Sequence, residues 1–176
     1  MICSLREMLT ALDANDHALD EHERGFVAKV REHGWSNTTV SSEDDQPGFS
    51  YTTGFWVNLG KPEIIVFGMA TVIHDVLWDL YRDLKDGREL PIGQPLTDVF
   101  ANIPACFMPV DRALYKQYLG WDRWFYAGDS FPCLQLVWPD RAGVFPWQPD
   151  MSSEFAGMQP DLSPQGWAAA SIAERH

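Results

Sequence analysis

The centre of the chain alternates short strand-like runs with loops, and this pattern constrains the fold more than any other feature. The runs are rich in Thr and aromatic residues or are continuously apolar, and they fall at 35–40, 49–56, 64–67, 106–110 and 134–138. Only the connection at 71–86 has clear helical periodicity. Strands joined mainly by loops are typical of antiparallel sheets, so we predict an α+β fold with a mostly antiparallel sheet and two to four packed helices. Closure of the sheet into a barrel and a parallel crossover through 71–86 both remain open.

Helical patterns flank this central region. We predict a short helix near residues 5–12, a helix at 16–32 capped by Gly34, and a helix that Asp111 opens and Gly120 closes. Gly54 is interpreted as a bulge within the strand at 49–56. The turn at 139–143 leads into residues 144–147, which suggests a hairpin. The predicted core contains Phe26, Val30, Ile65, Phe67, Val76, Leu80, Leu134 and Leu136.

The length of 176 residues is that of one ordinary domain. Hydrophobic residues make up 45% of the chain, enough for a substantial core. We assign residues 1–160 to a single α+β domain and residues 161–176 to a C-terminal tail.

The charge balance argues against polyanionic partners. The formal net charge is −12, whereas a nucleic-acid-binding protein needs a basic surface to neutralise phosphates. Anionic membrane surfaces are disfavoured for the same reason. We therefore expect binding neither to nucleic acid nor to membranes.

Three widely spaced cysteines, Cys3, Cys106 and Cys133, form no CxxC pair. Two of them lie in apolar segments, where a free cysteine usually packs as a small apolar side chain. Reduced thiols and the lack of a signal-peptide pattern predict a cytoplasmic protein. No set of neighbouring His, Cys, Asp or Glu residues in the sequence has the spacing of a metal site, so we predict that the protein binds no metal. Phosphate-loop, dinucleotide-binding and serine-elbow motifs are also missing from the sequence.

Five segments together resemble a known bacterial family. They are HGW at 33–35, FSYTTGFW at 49–56, PEIIVFGM at 62–69, LQLVWPDRAGVFPW at 134–147 and the pair Gln159-Pro160. In this order they resemble domain of unknown function 4262, over roughly residues 25–160. The family implies no activity.

The candidate site residues belong to these segments. All are polar or aromatic and lie at or near the ends of predicted strands and helices, where binding sites are commonly built. One interpretation gives them local roles in helix capping, turn formation and packing. The other brings seven of them into one aromatic-walled pocket, because buried polar groups need partners. These seven are His33, Trp35, Tyr51, Glu63, Gln135, Trp138 and Asp140. The ligand-binding candidates are His33, Trp35, Tyr51, Thr53, Glu63, Gln135, Trp138, Asp140 and Trp147.

Two main functions follow from these interpretations. The first is a small-molecule-binding domain or enzyme with an aromatic-lined pocket. Flavin is one ligand to consider, solely because small flavin-holding barrels offer a shape analogy for Tyr-Thr-Thr-Gly beside a buried strand. The second is an acidic protein–protein interaction module of the immunity or regulator kind. A metal-dependent enzyme is a third and weaker hypothesis.

Overall fold

A computed structural model of the protein describes residues 9–169. Five strands form one open sheet with the order β1-β2-β3-β5-β4. Their bounds are Ser36–Val40 (β1), Phe49–Thr53 (β2), Glu63–Phe67 (β3), Cys106–Pro109 (β4) and Cys133–Val137 (β5). The α+β class is confirmed. The sheet is not a barrel, because β1 and β4 are its two outermost strands and do not pair with each other.

Three of the four strand pairings are antiparallel, and β3 pairs with β5 in parallel, with Ile65 opposite Gln135. The parallel neighbour of β3 is therefore not the next strand in sequence. The segment 71–86 leads from β3 into β4. Because β5 runs parallel to β3 and β4 runs antiparallel to β5, β4 is antiparallel to β3. The parallel crossover from β3 to β4 that the sequence left open is therefore wrong. Because the sheet is open, the analogy with small flavin-holding barrels does not apply to this fold. The flavin hypothesis rested on that analogy alone.

Five α-helices lie within the described residues, against the predicted two to four. They are Glu21–His33 (α1), Ile73–Lys85 (α3), and three short helices at Phe55–Leu59 (α2), Tyr115–Tyr118 (α4) and Gly120–Phe125 (α5). Turns of 3-10 helix occur at Ala11–Asp13, Asp16–Ala18 and Arg112–Leu114. None of the helices within residues 9–169 is long and apolar enough to cross a membrane.

Local chemistry explains where α1 begins and ends. The side chain of Asp20 accepts a hydrogen bond from the backbone N–H of Glu23, and the Glu23 carboxylate accepts one from the N–H of Asp20. This reciprocal cap starts the helix later than the predicted residue 16. Gly34 ends it in the left-handed conformation, as predicted, with φ 85°.

Several predicted boundaries need correction. The strand at 49–56 stops at Thr53, and Gly54 starts α2 instead of forming a bulge. Gly120 begins α5 and does not close the helix before it. Residues 144–147 form no strand. The predicted N-terminal helix and Cys3 lie mainly or wholly outside the described residues.

Helices cover both faces of the sheet, which explains why β3 and β5 are buried along their whole length. On one face, α3 packs against Ile64, Val66 and Leu136. On the other, α1, α4 and α5 pack against Ile65 and Phe67. Of the predicted core, seven residues are buried, and Val76 is half-buried at the edge of its cluster.

The residues after 160 contribute to this packing. Leu162 and Trp167 are buried, and the backbone oxygen of Leu162 accepts a hydrogen bond from the N–H of Asp111. The boundary assigned at residue 160 stays a prediction. The described part of the segment beyond it lies against the domain.

Candidate functional site

The structure distributes the nine predicted candidates over several places instead of one. Trp138 and Asp140 line one cavity, whereas His33 and Trp35 line another. Tyr51, Thr53 and Glu63 are buried beneath α2 and α5. Gln135 and Trp147 pack against the C-terminal segment. A single pocket that contains all of them is therefore wrong.

Glu63 is the centre of a buried polar group that we call the carboxyl cluster: Thr52, Thr53, Glu63, Asp122 and Tyr126. One carboxylate oxygen, Oε1, accepts hydrogen bonds from Tyr126 Oη at 2.5 Å and from the backbone N–H groups of residues 54 and 56 at 2.8 and 3.2 Å. The other, Oε2, accepts from Thr52 Oγ1 at 2.6 Å and from the N–H of residue 55 at 3.3 Å. Five donors thus converge on one carboxylate. Glu63 caps the N-terminus of α2, because the residue at that position, Gly54, provides no side-chain hydrogen bond of its own.

Asp122 is the second carboxyl of the cluster. Its Oδ1 accepts a hydrogen bond from Thr53 Oγ1, and its Oδ2 has no partner among the described residues. Burial raises the pKa of Asp122 well above its ordinary value, and the neighbouring Glu63 charge raises it further. Burial also raises the pKa of Glu63, but its hydrogen bonds act in the opposite direction. Of the two carboxyl groups, Asp122 therefore has the more strongly raised pKa and is the one that binds a proton first as the pH falls.

The carboxyl cluster is closed to solvent. Glu63, Asp122 and both threonines are buried. Tyr51 also links β2 to α5, because its hydroxyl oxygen accepts a hydrogen bond from the N–H of Trp121 at 3.1 Å. The adjacent thiol of Cys133 is uncharged, because burial and the two carboxyl groups raise its pKa. These groups hold α2 and α5 against the sheet. Apart from Oδ2 of Asp122, the polar side-chain atoms of the cluster are hydrogen-bonded within the described residues.

The parallel pair β3 and β5 ends beside an open cavity. Gly68 and Met69 follow β3, and Trp138 to Arg141 follow β5, so two of the sequence segments meet here. The cavity, which we call the Trp138 cleft, has a volume of about 490 Å³. It is lined by Pro47, Gly68, Met69, Ile103, Trp138, Pro139, Asp140, Arg141, Phe155 and Met158. The carboxyl ends of parallel strands are the usual position of ligand sites in such sheets.

The aromatic wall of the cleft is fixed in place. Trp138 donates its indole N–H to the backbone oxygen of Phe67 at 2.7 Å. Its backbone N–H and C=O pair with the side-chain amide of Gln159 at 3.0 and 2.8 Å. Met69 adopts a left-handed conformation with φ 56°, which is uncommon for a residue other than glycine. The ring of Phe155 stands edge-on to Trp138, with the ring centroids 6.0 Å apart.

Asp140 organises the loop that follows β5. Its Oδ1 accepts hydrogen bonds from the N–H groups of Ala142 and Val144, and its Oδ2 accepts one from that of Ser152. These bonds, first that from Ser152, lower the pKa of Asp140. Both oxygens are therefore engaged by the backbone. The turn predicted from Pro139-Asp140 is present, and the carboxylate holds it together.

Gln135 and Trp147 fix the C-terminal segment. Gln135 donates its amide N–H to the backbone oxygen of Pro160 at 2.9 Å. Trp147 stacks on Phe145 with centroids 4.8 Å apart and meets Trp167 edge-on. Together with Gln159, these contacts explain why Gln159-Pro160 belongs with the segment at 134–147.

The second cavity lies between the end of α1, the start of β1 and the start of α3. We call it the His33 cavity; its volume is about 390 Å³. It is lined by Lys29, His33, Trp35, Ser36, Asn37, His74 and Trp78. No group of three or more His, Cys, Asp or Glu side chains among residues 9–169 is arranged to hold a metal ion.

Sequence reasoning missed three contributors. Asp122 lies in a short helix, and its partner Thr53 is 69 residues away, so no local pattern connects them. Met69 is visible only through its backbone angle. Phe155 follows an irregular loop without any periodic signal.

These features define an α+β domain with a mixed five-stranded sheet and a cleft at the carboxyl ends of its parallel strands. The family model for the domain of unknown function DUF4262 matches residues 29–152, which is well over half of the chain. The protein belongs to this family, as the five segments indicated. Neither a curated protein nor a solved structure shows significant similarity to the chain.

Proposed function

We propose that the protein is a small-molecule-binding domain and that the Trp138 cleft is its binding site. The observation that carries this proposal is the position of an apolar, aromatic-walled cavity of about 490 Å³ at the carboxyl ends of β3 and β5. Its size lies within the ordinary range for ligand pockets, roughly 300–1,000 Å³. A cytoplasmic location is part of the same proposal.

The lining indicates the kind of ligand. Trp138, Phe155, Met69, Ile103 and Met158 offer flat or flexible apolar surface. The charged residues of the lining are Asp140 and Arg141. The guanidinium group of Arg141 lies 5.8 Å from the centroid of the Phe155 ring, and its side chain is 84% exposed. A mainly apolar ring system with an acidic group that reaches Arg141 at the mouth fits this arrangement.

The same lining favours binding over catalysis. General acid–base chemistry needs a titratable group within hydrogen-bond reach of the substrate. Asp140 is the carboxylate of the cleft, and the backbone N–H groups of the loop already occupy both of its oxygens. We therefore propose a sensor or carrier domain.

An anionic aromatic dye tests the proposal. We expect the purified protein to bind anilinonaphthalene sulfonate saturably, measured by dye fluorescence. Ile103→Trp fills the cleft and should weaken this binding by at least about tenfold, a change of about 1.4 kcal/mol. Val72→Trp is the matched control, because Val72 is an exposed apolar residue outside the cleft.

Equal dye binding by the two variants would refute the cleft as the site and favour the alternative of an acidic interaction module. Circular dichroism should first show that both variants are folded. Native mass spectrometry of the wild-type protein and Ile103→Trp, each purified from cells, would then identify a natural ligand as a mass carried by the wild type alone.

A further inference from the structure

The His33 cavity differs from the Trp138 cleft in its chemistry. In the described structure the two share no lining residue. Lys29, His33 and His74 are exposed at its mouth, and Trp35 and Ser36 form a buried floor. No carboxylate from the described part of the chain lines it. In a protein of formal net charge −12, this is a local group of basic side chains.

Two of these basic groups, Lys29 and His33, are not held in strong ion pairs by carboxylates of the described residues. Across residues 9–169, no carboxylate lies within ion-pair distance of Lys29. His33 Nε2 is 3.7 Å from the carboxylate of Glu32, but both side chains are largely exposed, with 45% and 74% of their surface accessible. Exposed pairs of this kind are weak and exchange readily with other anions.

Aromatic rings hold the imidazoles in place. The ring of His74 stacks on Trp35 with centroids 5.7 Å apart and an interplanar angle of 28°. The ring of His33 meets Trp78 edge-on at 5.8 Å, and Trp78 stands perpendicular to Trp35 at 5.3 Å. The basic groups therefore surround a wall of flat rings, which suits a planar ligand.

Two polar atoms of the wall are unused by the protein. The indole Nε1 of Trp35 and the amide Oδ1 of Asn37 are buried and have no hydrogen-bond partner in the described residues. Buried polar groups are nearly always hydrogen-bonded, and an unmade bond costs stability. The unused donor and the unused acceptor belong to two residues that line an open cavity, which favours a ligand that supplies the missing partners.

We propose that the His33 cavity binds a small planar molecule that carries a carboxylate or phosphate group. Lys29, His33 and His74 hold the oxyanion at the mouth through charge-assisted hydrogen bonds. The ring of the ligand lies against Trp78 and Trp35, and its polar edge faces Asn37. The site does not depend on the proposed function of the Trp138 cleft, and each can fail without the other.

Titration with small probes, followed by NMR on labelled protein, tests the site. The probes are phenyl phosphate, benzoate and the uncharged benzyl alcohol, at about 0.15 M salt so that diffuse attraction to charge is screened. We expect saturable shifts of the Asn37 amide and of the His33 and His74 imidazoles with at least one anion. Comparison of the two anions distinguishes phosphate from carboxylate. Benzyl alcohol should bind at least about tenfold more weakly.

Two pairs of variants locate the contacts. Lys29→Gln and His74→Gln should each weaken binding of the preferred anion by about tenfold, which is the loss of one charge-assisted hydrogen bond. Lys85→Gln and His17→Gln make the same chemical changes at exposed positions outside the cavity and should leave the affinity unchanged. The proposal is refuted if neither anion binds saturably in the millimolar range, if benzyl alcohol binds as well as the anions, or if the cavity and control variants behave alike.

Discussion

The backbone of Gly54 packs directly against the carbonyl group of Gly34, so the segments HGW and YTTG meet at two glycines. A Cβ atom at residue 54 would overlap the Gly34 oxygen and lie 2.7 Å from the Cα of Trp35. The same Gly34 oxygen accepts a hydrogen bond from the side chain of Asn58 in α2 at 2.7 Å. This contact joins the wall of the His33 cavity to the helix that Glu63 caps.

Gly54→Ala should therefore be strongly destabilising. The φ angle of 120° alone disfavours a side chain, at a cost of about 1–3 kcal/mol, and the close backbone contact adds to that. Gly87→Ala is the matched control, because Gly87 has φ 100° but a Cβ atom added there would meet no other atom within 4 Å. Urea unfolding should show a larger loss for Gly54→Ala; equal losses would mean that the backbone contact contributes nothing.

Glu63→Gln tests the carboxyl cluster. The amide keeps the shape but replaces one acceptor oxygen with a donor that faces other donors. We expect a loss of about 3 kcal/mol in the free energy of unfolding, the scale of hydrogen bonds to a buried charge. Glu89→Gln, at an 84% exposed side chain paired with Lys61, should change stability by less than about 0.5 kcal/mol. A similarly small effect at Glu63 would contradict its role as the cap of α2.

Asp122→Asn should change how stability depends on pH. Because the folded-state pKa of Asp122 is raised, its contribution to stability is complete below the ordinary value of about 4 and is lost as pH rises towards the raised pKa. Asparagine has no such dependence. The stability of the variant relative to the wild type should therefore increase with pH, by at most about 1.4 kcal/mol per pH unit.

Urea denaturation at a series of pH values measures this difference. Asp150→Asn, at an exposed loop position, serves as the control and should reproduce the wild-type pH profile. A difference between Asp122→Asn and the wild type that is constant with pH would show that Asp122 is ionised in the folded protein.

Gln159→Ala should loosen the wall of the Trp138 cleft. The change leaves the buried backbone N–H and C=O of Trp138 without partners, which costs about 1–3 kcal/mol for each unsatisfied group. Gln117→Ala removes an exposed glutamine whose side-chain contact is with Tyr118, and it should have little effect. Thermal unfolding compares the two; equal melting temperatures would mean that Gln159 does not support Trp138.

The sequence predicted those parts of the fold that depend on local pattern. The apolar run of β3, the run of β5 with Gln135 as its polar member, and the periodic face of α3 were visible because burial on both faces or on one stripe determines residue type directly. The end of β2 at Thr53 was not visible, since the short helix after it is capped by a carboxylate nine residues further on. The parallel pairing of β3 with β5 was hidden by the long intervening segment 68–132.

The candidate site residues divide in the same way, into features that local pattern predicts and features that depend on distant parts of the chain. Trp35 and Trp138 were correctly expected near the ends of strands, and each lines a cavity. Whether these cavities bind ligands stays a prediction. Asp140 and Glu63 were recognised as polar groups that need partners, but they are not partners of one another. Backbone N–H groups bind Asp140, and Glu63 is bound by backbone N–H groups together with the hydroxyls of Thr52 and Tyr126. Residue types predict that a buried carboxylate is satisfied, and only the folded backbone shows by which groups.

The raised pKa of Asp122 also affects the heat of unfolding. At a pH between the ordinary and the raised pKa, this carboxyl is protonated in the folded protein, which then carries one negative charge fewer than if Asp122 were ionised. At any pH between the ordinary and the raised pKa, unfolding releases the proton to the buffer. The calorimetric enthalpy of unfolding then includes the heat of protonating that buffer, and it differs between phosphate and Tris at the same pH.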